Sequence, residues 1–241
     1  MKILVLSEMT IYPEIKKICE DRGLAIDKKI IIKINPKPGC YPPANIQYDV
    51  IIFQSKNAVI HCEKIWEDIR RRKPVIYCLG KYTNDAVKEK IGLNTIYPKD
   101  KSSSENLAKI IYTKMIEAND WNKKYLIFAG LGGRNIIEKM LKENNQIFYN
   151  SNIYERRVDG EIKIGENDLD ENGINYIIVS SKFALKTFLD KTSGFIKKYK
   201  LVYVIPSKRV INDAENNANS IVINNSYGAS HYIDAILNDE Q

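Results

Sequence analysis

Short apolar runs of strand length alternate with helical patterns along the whole chain, and no other feature narrows the possible folds as far. Neighbouring parallel strands need a crossover of a dozen or more residues between them, which a helix supplies. The alternation therefore predicts an α/β protein with parallel sheets. The expected strands are Ile3–Leu6, Lys29–Lys33, Val50–Phe53, Val75–Leu79, Asn94–Tyr97, Tyr125–Ala129, Gln146–Tyr149, Tyr176–Val179, Leu201–Ile205 and Ser220–Ile223. Amphipathic stripes lie between them. Pro13 followed by Ile15, Ile18 and Cys19, stopped near Gly23, has the start, spacing and stop of a short helix. Ala58, Cys62, Ile65, Trp66 and Ile69 form a second stripe. Ser102 with Glu105 reads as a capping box before Leu107, Ile110 and Ile111.

The chain also repeats itself. At an offset of 126 positions, Val50 to Phe53 falls on Tyr176 to Val179 and Ser55 falls on Ser181. Val75 to Leu79 falls on Leu201 to Ile205, and Leu107 and Ile111 fall on Ile233 and Leu237. The pieces left over correspond at an offset near 122, with Ile15, Ile18 and Cys19 on Ile137, Met140 and Leu141. Two parallel α/β domains share the apolar rhythm in any case, but the matched serines after strands are harder to assign to that rhythm. The chain reads as two copies of one βα module of about five strands.

In open parallel sheets, ligands bind beyond the carboxyl ends of strands, where helix N-termini present free N–H groups and favour anions. Those junctions hold Ser7 to Thr10, Gln54 to Asn57, Gly80 to Thr83 and Lys101 to Ser104 in one half of the pattern. Gly130 to Arg134, Ser180 to Phe183, Pro206 to Arg209 and Ser226 to Ser230 complete it. Hydroxyls, amides, glycines and bases dominate, and acids are scarce. The pattern suits a polyanion, although Ser, Thr and Asn also cap helices without binding anything. Gly130-Leu131-Gly132-Gly133 raises a dinucleotide site, with Glu155 where a ribose-binding acid could lie. Its spacing is not G-x-G-x-x-G, since Asn135 takes the third position, and a tight turn explains the glycines more simply.

Charge and cysteines bound the remaining classes. The balance of 37 Lys and Arg against 30 Asp and Glu leaves a net charge of +7. Its densest runs, Arg70 to Lys73 and Lys197 to Lys200, precede strands and so lie away from the strand carboxyl ends; no nucleic-acid partner is expected. With 44% hydrophobic residues, the chain can build a core and is neither disordered nor fibrous. No apolar run approaches the ~20 residues of a membrane span. The apolar start meets Ser7 and Glu8 too early for a signal-peptide core, so a cytoplasmic protein without membrane partners is expected. The four cysteines (Cys19, Cys40, Cys62, Cys78) form no C-x-x-C pair and read as reduced, mostly buried thiols. His61-Cys62 is the one adjacent ligand-type pair, and neighbours on a helix diverge, so no metal is expected.

Taken in order, several segments resemble the uroporphyrinogen-III synthase family. Phe53-Gln54-Ser55-Lys56-Asn57-Ala58-Val59 matches its F-T-S-x-x-A-V turn, and Gly80-Lys81-Tyr82-Thr83-Asn84 its G-x-x-T-A helix start. A glycine turn, Arg134 and a Leu-containing helix follow at Gly130 to Leu141. Ile153-Tyr154-Glu155-Arg156 is similar to the family's V-Y motif, and Val179-Ser180-Ser181 to its second F-x-S turn. The resemblance implies two flavodoxin-like α/β domains facing a cleft and joined by a two-stranded linker, with the chain interleaved between them. Residues 1–33 with 159–241 would form one domain and 41–150 the other, with linkers at 34–40 and 151–158. Pro36, Pro38 and Gly39 agree with a break at the first crossing.

The family cyclises hydroxymethylbilane, a linear tetrapyrrole with eight carboxylates, to uroporphyrinogen III with inversion of ring D and loss of water. It uses no cofactor. The resemblance assigns proton donation to Tyr154, since a phenol is protonated at neutral pH; packing within the linker is the equal alternative. Substrate contacts would come from Ser7, Ser55, Lys56, Asn57, Lys81, Thr83, Ser104, Gly130, Arg134, Ser181, Lys208 and Arg209. Two departures stand out: Gln54 replaces a threonine in the first turn, and Ile205-Pro206-Ser207-Lys208-Arg209 replaces I-G-P-T-T. A monomer is expected, with the upstream hydroxymethylbilane synthase as its protein partner. The rivals are a non-catalytic two-domain small-anion binder or sensor and a nucleotide-dependent enzyme at Gly130–Gly133.

Overall fold

The computed structural model describes residues 1–6, 11–37, 39–42, 46–119, 121–211, 219–223 and 228–239. In chain order the first elements are β1 (Lys2–Val5), α1 (Tyr12–Asp21), β2 (Ala25–Lys28), β3 (Ile32–Pro36), β4 (Val50–Phe53) and α2 (Lys56–Ile60). They are followed by α3 (Trp66–Arg72), β5 (Val75–Cys78), α4 (Lys81–Lys90), α5 (Ser104–Ala118), β6 (Lys124–Gly130) and α6 (Ile136–Glu143). The last are β7 (Ile147–Val158), β8 (Ile174–Ile178), α7 (Lys182–Thr192), β9 (Lys200–Ile205), β10 (Asn219–Val222) and α8 (Ala229–Asp239). The chain divides into two compact units, Met1–Lys33 with Arg157–Gln241, and Ile34–Arg156. It passes from one to the other within β3 and returns within β7.

The first unit carries a sheet in the order β10-β9-β8-β1-β2, with its pairs parallel. The second carries β3-β7-β6-β4-β5, in which β7, β6, β4 and β5 pair in parallel. The internal repeat maps β1 on β6, β2 on β7, β8 on β4 and β9 on β5. Both sheets therefore share the doubly wound order 2-1-3-4, which reverses between β1 and β8 and between β6 and β4; the first adds β10 beyond β9, and the second adds β3 beyond β7. All four residues of β4 are buried, because helices cover both faces of a parallel sheet. Ile51 and Phe53 pack with Ala58, Val59 and Cys62 on one side. Val50 and Ile52 pack with Leu107, Ile111 and Leu141 on the other.

Serine caps set three helix starts. Ser55, Ser103 and Ser181 accept the N–H groups of Ala58, Asn106 and Ala184 at 3.1, 3.1 and 3.2 Å. Each cap is worth about 1 kcal/mol. The expected box at Ser102 and Glu105 is not the one formed. Gly80 has no side chain, and Ser102 fills that space so closely that a Cβ there would lie 2.6 Å from its own. The cap moves to Ser103, and Glu105 turns to Arg134 instead.

Two strand expectations also change. The strand expected at Lys29–Lys33 is shifted: β2 ends at Lys28, and β3 takes up only Ile32 and Lys33 of the expected segment. Pairing of Lys2 to Val5 with Ala25 to Lys28 recruits the polar Asp27 into a strand, so the neighbouring strand outweighs local propensity. Asn94–Tyr97 holds a single bridge, Tyr77 with Ile96, at the place β10 takes in the other sheet. Pro36 ends β3, an edge strand, where its missing N–H is tolerated. Among the described residues no helix is long and apolar enough to cross a membrane. No group of three or more His, Cys, Asp or Glu among them could hold a metal ion.

Candidate functional site

The switch point of the second sheet lies between β6 and β4, and the turns leaving these two strands meet there. Gly130 ends β6, and Ser55 follows β4 as the cap of α2. Between them stands Tyr154 of β7. Its position depends on a β-bulge: Ala129 pairs with Asn152, but Gly130 pairs with Tyr154, leaving Ile153 extra. Without it, Tyr154 would point the same way as Asn150 and Asn152. The bulge re-aims it beside Ile153, and both join the core around Phe53 and Phe128. Gly130 makes room for the ring, since a Cβ there would lie 2.6 Å from Cε2 and 2.7 Å from the hydroxyl oxygen.

Tyr154 is 1% exposed, and its hydroxyl lies 2.8 Å from Ser55 Oγ. Arg156 Nη2 donates to the phenolic oxygen at 3.2 Å, with the guanidinium 5.4 Å from the ring centre. The His61 ring sits 6.0 Å from that of Tyr154, tilted by 32°. The hydrogen count matters here. Arg156 supplies one N–H to the tyrosine oxygen, and Ala58 supplies one to the serine oxygen. The two hydroxyls bring two more hydrogens, yet only one can lie between the oxygens. Whichever way that bond runs, one O–H remains to be donated. Ser55 is half-buried and Tyr154 buried, so when Tyr154 donates to Ser55 the remaining O–H belongs to the more exposed of the two residues.

A polar network flanks this pair on the other sheet face. Gln54 Nε2 and Asn150 Nδ2 both donate to Glu138 Oε1, at 3.0 and 3.2 Å. Glu138 is only 8% exposed, and its Oε2 and the Oδ1 of Asn150 have no partner among the described residues. This network escapes sequence reasoning; its one trace is an acid between Ile137 and Leu141 in an otherwise apolar stripe. Gln54 also faces the glycine turn, 3.7 Å from where a Gly133 Cβ would be.

The remaining expected site residues are dispersed. Lys56 is exposed and Asn57 half-buried in the first turn of α2, and Lys81 is exposed at the start of α4. Thr83 is 5% exposed, so it packs inward rather than presenting its hydroxyl. Ser104 opens α5 half-buried but is not the cap. Arg134 is engaged with Glu105 through two bonds, at 2.6 and 3.2 Å. In the other unit, Ser181 caps α7, and Lys208 is exposed in the 3₁₀ turn Lys208–Val210. Ser7 and the Arg209 side chain lie outside the described residues.

A sequence model of the family described as uroporphyrinogen-III synthase HemD matches residues 16–233. The chain belongs to the uroporphyrinogen-III synthase family. Members of this family are cyclising lyases of haem biosynthesis, and the membership favours neither the sensor nor the nucleotide reading. Gly130 serves the Tyr154 ring, which removes the main motive for a dinucleotide turn. Among solved structures, uroporphyrinogen-III synthetase from Helicobacter pylori is similar, with a TM-score of 0.62 and 14% identity, covering 98% of each chain. A mutant uroporphyrinogen III synthase from Thermus thermophilus has a TM-score of 0.58 and 9% identity, covering 100% of this chain and 99% of that one. At such identities the likeness is one of fold. No curated protein sequence matches the chain.

Proposed function

We propose that the chain cyclises hydroxymethylbilane to uroporphyrinogen III, with the Ser55–Tyr154 pair as its proton donor. The observation that carries this reading is the surplus hydroxyl hydrogen at the β6/β4 switch point. Loss of the substrate's terminal hydroxyl as water requires a proton. Ser55 would deliver it, drawing on Tyr154 behind it, and the Arg156 N–H would stay on the phenolic oxygen to stabilise the charge left there. Exposed Lys56 and Lys81 suit substrate carboxylates, as do the N–H groups of the helix starts after Ser55, Gly80 and Ser181. Lys208 and Arg209 would take the role of the missing I-G-P-T-T threonines. Arg134 already spends two of its N–H donors and its charge on Glu105, so it would contribute only through the N–H groups left over. Holding a flexible chain in a cyclisable shape is the larger part of the catalysis. On this reading the protein works in the cytoplasm as a monomer that receives substrate from hydroxymethylbilane synthase.

The test is to feed freshly made hydroxymethylbilane to the purified protein and separate the oxidised products. Spontaneous closure yields the type I isomer, so the type III isomer is expected to dominate with protein present. An unchanged isomer ratio would sink the proposal.

A further inference from the structure

The network at Glu138 takes no part in the proton delivery proposed above, yet Gln54, one of its members, directly precedes Ser55. Glu138 is 8% exposed, and its Oε2 is buried without a partner among the described residues. The carboxylate is thus closed off from any substrate. Its Oε1 accepts two amide N–H groups, from Gln54 Nε2 at 3.0 Å and from Asn150 Nδ2 at 3.2 Å. It stands in the first turn of α6, where a helix favours negative charge.

A carboxylate only accepts, so it fixes which way round the Gln54 amide lies. Nε2 must face Glu138, and Oε1 is left facing the glycine turn. The base of the side chain is held as well, because Gln54 N donates to Phe128 O at 3.0 Å. A Cβ at Gly133 would lie 3.7 Å from Oε1, so the glycine leaves that side of the oxygen uncovered. Residues 131–134 of the turn are exposed and Gln54 is half-buried. Gln54 Oε1 has no partner among the described residues, but it is not sealed in as the free oxygens of Glu138 and Asn150 are. The lysines, helix-start N–H groups and Ser55 hydroxyl proposed for the substrate are all donors. They suit its carboxylates and its departing hydroxyl. A linear tetrapyrrole also carries an N–H on each pyrrole ring, and that group can only donate. Once stripped of water against the protein, it needs an acceptor.

We infer that Gln54 Oε1 accepts a pyrrole N–H of the substrate, and that Glu138 is the positioning residue that keeps this oxygen toward the turn. The inference rests on the cyclisation reading of the same site. Without Glu138 the amide is free to turn over and present its NH₂ group, which opposes the N–H it should receive.

The test is steady-state kinetics of the full chain with freshly made hydroxymethylbilane, with the melting of each variant followed alongside. Gln54→Met keeps the length of the side chain and removes the acceptor. It should raise KM about fivefold, the worth of one ordinary hydrogen bond. Its kcat should stay within about twofold, because the contact is lost equally from bound substrate and transition state. Glu138→Leu should raise KM to the same extent, and the double variant no further than either alone. Glu138→Gln keeps an oxygen for both amides and should recover most of the loss. A role in stability alone would shift melting and leave KM unaltered. A native KM in Gln54→Met, or a fall in kcat in its place, overturns the inference, while type III product from the original protein upholds the cyclisation reading. Type I product alone from the original protein overturns both. Should Glu138→Leu fail to melt cooperatively, Glu138→Met removes the same acceptor with a side chain of native length, and a native KM there overturns the positioning role.

Discussion

Replacing Gly130 by alanine puts a methyl carbon 2.6 Å from Tyr154 Cε2 and 2.7 Å from its hydroxyl oxygen. The ring is 1% exposed and packed in a dense core, so it cannot swing aside freely. Overpacking of this kind costs about 1–3 kcal/mol. Displacing the hydroxyl from Ser55, now 2.8 Å away, removes a further ~1 kcal/mol of hydrogen bonding. The sum of roughly 2–4 kcal/mol corresponds to a melting point lower by about 4–16 °C for a chain of this size. Calorimetric melting and type III isomer formation should be measured on the same preparation. Turnover should fall at temperatures where the variant is still folded, and adding Tyr154→Phe should lower it little further, since both changes act through one hydroxyl. A Gly130→Ala protein that melts and turns over like the original would refute the placement of the ring. Additive losses would refute the shared route.

The hydroxyl pair makes a second prediction: Ser55→Ala should reduce kcat at least as far as Tyr154→Phe, each by about 10²-fold. Ser55→Ala should also lose about 1 kcal/mol of stability through its cap, whereas a Tyr154→Phe variant that loses more turnover than Ser55→Ala would argue against delivery through the serine. Burial pushes the thiol of Cys19 up to about 11 and those of Cys62 and Cys78 to about 12. A disulfide reagent at pH 8 should therefore titrate only the half-buried Cys40 in the native protein, and all four thiols in denaturant. Fast labelling of two or more native thiols would contradict the packing. The same shifts predict alkaline instability. The folded thiols hold their protons above the ordinary value of 9.0 at which unfolded thiols ionise, so their contribution is complete below that pH and falls as the pH rises through it. Three such groups amount to about 4 kcal/mol by pH 10. Urea midpoints equal at pH 8 and pH 10 would contradict it.

Much of the fold was legible because its signals are local. Val50 to Phe53 reads as a strand from four consecutive apolar residues, and Ser55 and Ser181 read as caps because each follows a strand and precedes an apolar stripe. The repeat exposed two copies of one βα module, since equal offsets keep equal crossovers, while the strand order came from the sheets themselves. Local signals failed where a neighbour made the decision. Ala25 to Lys28 has little strand character and becomes β2 by pairing with β1. Asn94 to Tyr97 has more, but only a single bridge forms there. Ser103 became the cap because Ser102 was needed against Gly80. Arg134 and Thr83 were plausible ligand contacts in sequence, until an exposed carboxylate claimed one and the interior claimed the other.

By itself the sequence determined the secondary-structure rhythm, the duplication and the residue types at the strand ends, because helix periodicity, capping and turn chemistry are fixed within a few residues. Only the tertiary structure decided which of those residues meet. Tyr154 is brought against Ser55 by one extra residue in β7 and one missing side chain at Gly130, and both matter only once β7 pairs with β6. A bulge is a property of two paired strands, and the space beside a glycine is a property of what packs against it. That is why Tyr154 and Ser55 could each be marked in the sequence, while their meeting at 2.8 Å came from the fold.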